Sequence, residues 1–586
     1  MIQIKQGDAL IHDAESQHWL YFTDPVETLS TDSLCEVKAL LEQIHKRVCS
    51  EQLYAAGYIS YDASPAFDDA LTARQENKIP LLMFSLYKNP QILNDPDFSP
   101  RLSPQNRLSW TPSVSREEYN KGFAAVKDYI QKGHTYQVNY TYRLEADFEG
   151  DPWQLFCRMQ KAQSGVYGAY LEYGDTAVAS ASPELFFSLK GKKIKTRPMK
   201  GTAPRGMTPR EDRQMADTLY HCEKNRAENM MIVDMIRNDL GRIARKGTVR
   251  VPRLFELEKY PTLWQMTTEV LAETEASVPE ILENLFPCAS ITGAPKYRTM
   301  EIIKEQETTA RGLYTGSIGF WGPGGTAQFN VAIRTAVVSR SSRTARYGTG
   351  GGVVWDSSSE GEYEESLTKT EILNRDNREF SLLETIRWSR DEGFFLLNRH
   401  LARLEHSAVY FDYPFKQAEI KDALDSMAAA FSRNPVSRKV RLLLDKKGNL
   451  TLESAALPES GSTPPWTIKL AAEPVSPANP FLYHKTTARE VYQAHREKAS
   501  GFDDVLLWNT RGEITESSIA NVVVVTGETH CTPPVSSGLL AGTMRQKMLD
   551  QGLLTEKVIR KEDLPKAQRI YLINSVRGLM EAELIL

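Results

Sequence analysis

The sequence predicts an α+β protein in two parts, and three observations carry that expectation. Short apolar strands separated by turn residues recur along the chain, with amphipathic helices set among them. The length, 586 residues, suggests roughly three to four folding units of ~150 residues. A short charged stretch, Asp376–Glu379, marks a junction, and a new strand-rich unit starts near Phe380.

Trp19–Phe22, Leu53–Ser60 and Leu81–Tyr87 read as strands, and Asn89–Pro112, rich in Pro, Asn, Asp and Ser, as a long loop. Ser115 followed by Glu118 is a capping box that opens a helix. Tyr119, Phe123, Val126 and Ile130 continue it at helical spacing, and Gly133 stops it. Tyr136–Leu144 and Glu184–Ile194 read as strands, and Arg210–Leu240 as one long helix. Tyr314–Trp321, Phe329–Val338 and the glycine-rich Gly348–Trp355 are further strands, and Glu360–Asn374 a helix. Past the junction, Phe380–Trp388 and Gly393–Leu397 form a hairpin, followed by a helix from Arg399. Glu459–Pro465 is a connector. Asp503–Trp508 and Asn521–Val525, on either side of a turn at Asn509–Gly512, make a second sheet region.

Hydrophobic residues are 41% and charged residues 25% of the chain, as in an ordinary soluble protein. A net charge of -4 with no basic run argues against nucleic-acid binding. The N-terminus is too polar for a signal peptide, and no apolar run reaches the ~18 residues of a membrane span. The six cysteines (Cys35, Cys49, Cys157, Cys222, Cys288, Cys531) form no CxxC pair. That argues against a zinc site or a disulfide framework and suits a reducing cytoplasm.

The chemistry of the first part centres on Lys200, in TRPMKGT at the end of an apolar strand region. Desolvation there would lower the lysine pKa and free the amine as a nucleophile, although a surface lysine at a strand end fits the same residues. Glu184, in Ser182-Pro183-Glu184, could act as a general acid if buried enough to stay protonated; a solvated strand-start carboxylate is the alternative. Glu228 sits on one helix, and Glu362, Glu365 and Lys369 share a face of another. Carboxylates from two helices can hold Mg²⁺, whereas an exposed Glu365–Lys369 pair needs no metal. The run Gly348–Gly352 could bring backbone N–H groups close to an anion, or be a plain bulge. Tyr314 and Arg334 lie on neighbouring candidate strands, and Arg is the natural bidentate partner of a carboxylate. Together these residues describe a pocket for a small dianionic acid.

SPELF, PMKGT, RAENMMIVDMIRNDLGR, SITGAPK and GTGGGVVWDS occur in that order. In these motifs the chain resembles the chorismate-utilising family: anthranilate synthase, isochorismate and salicylate synthases, and aminodeoxychorismate synthase component I. The resemblance implies an α/β sandwich over residues 1–377, with a variable part (1–112) and a chorismate-binding part (113–377). It implies Lys200 as nucleophile, Glu184 as acid, and Glu228 and Glu365 as Mg²⁺ ligands. Substrate contacts implied are Gly201, Thr202, Thr292, Tyr314, Arg334, Gly350, Gly351, Gly352 and Lys369. Anthranilate synthase has alanine where Lys200 stands, so the lysine points to aminodeoxychorismate. Isochorismate and salicylate synthases carry a base lysine where this chain has Gln137. The chain departs from many relatives at Gln265, in a stretch where they have histidine, and at Asn330. No cysteine lies in a GxCxG elbow, so free ammonia, or a separate glutamine amidotransferase subunit, is the expected nitrogen source.

In the second part, HKTT around Lys485, ExSxxN from Glu516 and GTMR at Thr543 occur in order. A Schiff-base lysine, a carboxylate for a pyridinium nitrogen and a helix N-terminus for phosphate are the parts of a pyridoxal phosphate site. Arg403 adds a second phosphate contact. Singly, each has an ordinary structural explanation. The set resembles the class IV pyridoxal phosphate fold, which implies a two-subdomain α+β domain over 378–586, small (378–475) and large (476–586). That fold admits a homodimer, and its members include aminotransferases and aminodeoxychorismate lyase. Joined to the first part, a lyase would complete a route from chorismate to 4-aminobenzoate, a folate precursor. A transaminase or a docking module in the second part, or anthranilate synthesis in the first, are the alternatives.

Overall fold

The computed structural model describes residues 4–76, 78–94, 96, 98, 108–163, 165–373, 379–431, 436–457 and 464–585. The chain divides into two compact units, Met1–Pro204 with Ala216–Asn377, and Arg205–Met215 with Arg378–Leu586. The expected junction at Asp376–Glu379 and connector at Glu459–Pro465 fall largely outside the described residues.

The first unit is built on two ten-stranded sheets. In one, Gln137–Asp147 runs antiparallel to Thr344–Val353, which pairs with Thr335–Ser339. In the other, Met199–Pro204 and Lys193–Arg197 both pair with Leu263–Glu273, and Leu185–Lys190 pairs with Thr326–Val331. Ala9, Leu171 and Val178 of one sheet and Ala56, Ile318 and Phe320 of the other share one core, so the sheets face each other. Burying such apolar faces against each other is what makes a two-layer fold stable.

Helix Arg116–Gln131 has the expected capping box, with Ser115 and Glu118 satisfying each other's backbone N–H groups. The expected long helix is two helices, Pro209–His221 and Glu223–Ile243. Cys222 between them is extended (φ -67°, ψ 109°), a one-residue break that leaves the polar pattern of the sequence unbroken. Glu184–Ile194, expected as one strand, is most of a hairpin, Leu185–Lys190 and Lys193–Arg197, turning at Gly191. Phe329–Val338 is likewise two strands, Thr326–Val331 and Thr335–Ser339, which belong to different sheets. The chain turns between them at Arg334, with φ 51°. Tyr314 and Arg334 therefore lie just outside strands rather than on them. The helix Ser359–Thr368 ends sooner than expected, and a short 3-10 turn, Glu371–Leu373, follows it.

The second unit holds a four-stranded sheet, including Leu382–Ser389, Arg438–Leu444 and Leu450–Ala456, and an eight-stranded mixed sheet. Helix Leu397–Phe411 packs on the smaller sheet through Leu401, Leu404 and Ala408. Trp466–Leu470 pairs in the larger sheet, so that sheet begins before residue 476, the expected start of the large subdomain. The low hydrophobicity around 458–465 places a connector there, but a five-residue strand after it carries no signal of which sheet it joins. Among the described residues no helix is long and apolar enough to cross a membrane, and all six cysteines are free.

Candidate active site

The strand Met199–Pro204 carries Lys200 into a cavity of about 160 Å³ in the first unit. Gly201 follows with φ +89°, a backbone region that glycine enters freely, and a Cβ there would crowd Asn225 at 3.0 Å. Burial lowers the Lys200 pKa, which favours the free amine. Gly352 lies against the lysine: a Cβ at that position would come within 3.0 Å of Lys200 Nζ and 2.9 Å of Gln137 Nε2. The Gln137 amide is fully buried, and neither its oxygen nor its nitrogen has a hydrogen-bond partner among the described residues.

Glu184 lines the same cavity and is 2% exposed. Burial pushes its carboxyl up to about 7, although Ser290 Oγ donates to Oε1 at 2.5 Å. Glu228 and Glu362 also line it, and burial raises both. Glu365 is held below the ordinary carboxylate range by Lys369, whose Nζ lies 2.7 Å away and also donates to Gly350 O at 2.9 Å. The simple helical Glu365–Lys369 pair is thus present and faces the cavity. Gly201, Thr202, Tyr314, Arg334 and Gly350 complete the expected lining. Arg334 Nη1 donates to Gln163 Oε1 at 2.9 Å, so part of its guanidinium is already engaged.

Two expected contacts lie outside the lining. Thr292 is buried and donates to Cys288 O at 2.9 Å, while its neighbours Ser290 and Ile291 reach the cavity. Gly351 backs onto Glu362, since a Cβ there would meet Glu362 Oε2 at 2.5 Å. Glu362 itself lines the cavity, so Gly351 stands against a lining carboxyl rather than in the lining. Gln265 lines the cavity, donates to Gly201 O at 2.9 Å and accepts from Thr202 Oγ1 at 3.2 Å. It pins the backbone just after Lys200. Asn330 is a structural tie: it accepts from Ile318 N at 3.1 Å and donates to Tyr167 O at 2.8 Å. Ser290 and Lys224 are lining residues that the sequence did not single out. Lys224 stands one helical turn before Glu228, 4.0 Å from it, and that spacing is visible in the sequence.

Among the described residues no group of three or more His, Cys, Asp or Glu side chains forms a metal cage. Glu228, Glu362 and Glu365 nevertheless lie close enough for their charges to be felt between them, Glu362 and Glu365 raising Glu228 and Glu365 raising Glu362, with Lys200, Lys224 and Lys369 as the opposing cations. That donor set fits Mg²⁺, which takes one or two protein carboxylates and keeps water or substrate oxygens. A larger cavity, about 470 Å³, shares Tyr314 and Gly348 with this one but contains neither Lys200 nor Glu184.

In the second unit, Lys485 lies beside the strand Leu382–Ser389, its carbonyl accepting from Leu383 N at 2.9 Å. Burial and Arg403 bring its amine down to about 8. Glu516, 4% exposed and raised to about 7 by burial, accepts from Tyr492 OH at 2.8 Å, Leu540 N at 3.2 Å and Asn521 Nδ2 at 3.1 Å. Thr543 opens the helix Thr543–Asp550. Arg403 is more committed than expected. Its Nε and Nη2 donate to both oxygens of Glu384 at 2.8 and 2.7 Å, and Nη1 donates to Ala541 O at 3.1 Å. Burial alone would raise Glu384, but Arg403 and His400 outweigh it and hold the carboxyl at about 2. His400 in turn sits 3.3 Å from Thr543 Oγ1. The guanidinium is therefore oriented toward the start of the helix, where its N–H groups and the helix dipole favour a phosphate. A low-pKa lysine, a buried carboxyl and this helix start fit pyridoxal phosphate. Glu384 and His400 had no signal in the sequence as site residues, because their role is contact with other side chains.

Residues 6–375 match the family model described as chorismate binding enzyme, and residues 381–585 that described as amino-transferase class IV. Aminodeoxychorismate synthase component 1 of Salmonella typhimurium is 41% identical over 263 residues, 44% of this chain and 58% of that protein. The protein of the same description from Bacillus subtilis is 40% identical over 279 residues, 47% of this chain and 59% of that protein. The matches thus span well under two thirds of those relatives. The crystal structure of anthranilate synthase component I from Streptococcus pneumoniae superposes with a TM-score of 0.53 at 22% identity, covering 64% of this chain and 94% of that one, and so shares its fold. With 6–375 matched, well over half its length, the chain belongs to the chorismate binding enzyme family, and a class IV amino-transferase region follows in the same polypeptide.

Proposed function

We propose that this chain makes 4-aminobenzoate from chorismate in two steps, one in each part. The observation that carries the first step is Lys200, lowered in pKa by burial, in one small cavity with Glu184 raised to about 7. The free amine of Lys200 bonds to C2 of chorismate as the C4–O bond breaks, and Glu184 gives its proton to the leaving hydroxyl, which departs as water. Ammonia then bonds to C4 and expels the lysine, giving 4-amino-4-deoxychorismate. Splitting the substitution in two lowers each barrier. Glu228 and Glu365 would hold Mg²⁺, which neutralises and orients the ring carboxylate. Lys369, Arg334 and the backbone around Gly350 would bind the anionic groups of the substrate. Lysine at position 200 favours this product over anthranilate, and glutamine at 137 in place of a base lysine disfavours activation of water.

For the second step, pyridoxal phosphate supplies an electron sink that eases loss of a proton and then of pyruvate. Lys485 would carry the cofactor and move the C4 proton, its amine titrating near 8. Glu516 would face the pyridine nitrogen, while Thr543 and Arg403 would hold the phosphate. The nitrogen source is free ammonia, or a separate glutaminase subunit, since no cysteine stands in a GxCxG elbow. The work belongs to the cytoplasm and to folate precursor synthesis. The test is product analysis of the purified chain with chorismate, ammonium, Mg²⁺ and pyridoxal phosphate. Formation of 4-aminobenzoate and pyruvate is the expected result. Anthranilate as product would overturn the first step, and aminodeoxychorismate with keto-acid-dependent amino transfer would overturn the second.

A further inference from the structure

Glu307 sits in an unfavourable place for a carboxylate. It caps the C-terminus of helix Lys296–Gln306, where the helix dipole is negative, and it is 3% exposed. Two buried arginines compensate it. Arg143 Nη2 donates to Oε2 at 2.9 Å, and Arg311 reaches both oxygens, Nη2 to Oε1 at 2.7 Å and Nε to Oε2 at 3.1 Å. Thr141 adds its backbone N–H at 3.0 Å and its hydroxyl at 2.7 Å to Oε1. Burying three charges costs desolvation that apolar side chains would avoid, so stability alone is a poor account of this network.

The network's other contacts lead to the cavity around Lys200. Arg311 Nη1 donates to Ile291 O at 3.0 Å, and Nη2 to Asn139 O at 2.6 Å. The Arg143 guanidinium lies 4.8 Å from the centroid of the Tyr314 ring. That ring lies against Gly348, where a Cβ would fall 2.1 Å from Tyr314 Cγ. Asn139, Ile291, Tyr314 and Gly348 all line the cavity, whereas Glu307, Arg311 and Arg143 do not. One carboxylate thus ties together three separate walls: the strand Gln137–Asp147, the turn at Ile291 and the Tyr314 ring.

We propose that Glu307 is a positioning residue for the first step, fixing these walls at the spacing the ring acid needs without touching it. This rests on the first step proposed above. Loosened walls weaken binding of substrate and transition state alike while leaving Lys200 and Glu184 in place. That raises KM with little change in kcat.

The test is steady-state conversion of chorismate by the full chain, read as aminodeoxychorismate plus 4-aminobenzoate, over a range of chorismate concentrations, with thermal unfolding in parallel. Arg311→Lys keeps the buried cation but cannot reach Glu307, Ile291 and Asn139 together. Glu307→Gln removes the central charge. Each variant should raise the chorismate KM about tenfold and leave kcat within about threefold. An unchanged KM in Arg311→Lys, with or without a lower Tm, overturns the inference, as does a fall in kcat at constant KM. Arg311→Lys decides the matter if Glu307→Gln does not fold. A wild-type chain that makes neither aminodeoxychorismate nor 4-aminobenzoate from chorismate refutes the underlying first step and this inference with it; normal wild-type turnover with an unaltered variant KM refutes the inference alone.

Discussion

Ser290 Oγ donates a hydrogen bond to Glu184 Oε1 at 2.5 Å, and both residues are buried beside Lys200. The bond favours the carboxylate, yet burial outweighs it and leaves Glu184 at about 7. A carboxyl poised there can hold a proton at neutral pH and release it in one step.

The first step should therefore slow on the alkaline side. As pH rises through about 7, Glu184 loses its proton and kcat should fall, by about tenfold per pH unit once titration is complete. Glu184→Gln should lower kcat about 10²-fold or more and remove that alkaline limb. A wild-type limb that persists in the variant would assign the proton to another group. The folded carboxyl also holds its proton more tightly than the unfolded chain does. Its contribution to stability is therefore complete below about 4.5 and is lost as pH rises through about 7.

Gly352→Ala places a methyl group about 3 Å from both Lys200 Nζ and Gln137 Nε2. Both neighbours are flexible side-chain ends, so the fold should survive with little change in Tm. The displaced amine should cost roughly 10- to 100-fold in kcat for the first step. Wild-type kcat in this variant would show that the lysine does not need that position.

Glu228→Gln and Glu365→Gln each remove one charge from a cavity where carboxylates already crowd one another. Each should raise the Mg²⁺ concentration for half-maximal first-step activity by about tenfold or more. Conversion of supplied aminodeoxychorismate to 4-aminobenzoate should be unaffected in both. An unchanged Mg²⁺ titration would remove that residue from the ligand set.

The sequence carried much of this site because its motifs are local. PMKGT sets Lys200 and the positive φ of Gly201 in adjacent positions, and the Ser115–Glu118 capping box needs only three residues of separation. Where the reading failed, a local pattern had no access to the deciding contact. Cys222 breaks a helix whose side-chain periodicity runs straight through it. Arg334 sits in a turn that moves the chain from one sheet to the other, within a run that reads as a single strand. Gly351 lies against the Glu362 carboxyl, which itself lines the cavity, a contact that a run of identical glycines conceals. Arg403 reads as a free cation, and only Glu384, nineteen positions away in sequence, shows how its guanidinium is held. The Glu307 network joins residues up to 172 positions apart, from Asn139 to Arg311, and leaves no sequence pattern at all.

The central claim, that one chain holds two successive activities, is tested most directly by Lys485→Ala. The variant should lose the visible absorbance of bound pyridoxal phosphate, since the lysine that would carry the cofactor is gone. Lys200, Glu184 and the carboxylates belong to the other unit and are untouched. The decisive measurement is chromatography of the products formed from chorismate and ammonia by the wild type and by Lys485→Ala. The account predicts that the variant accumulates 4-amino-4-deoxychorismate and makes no 4-aminobenzoate. Wild-type production of 4-aminobenzoate by the variant would contradict it.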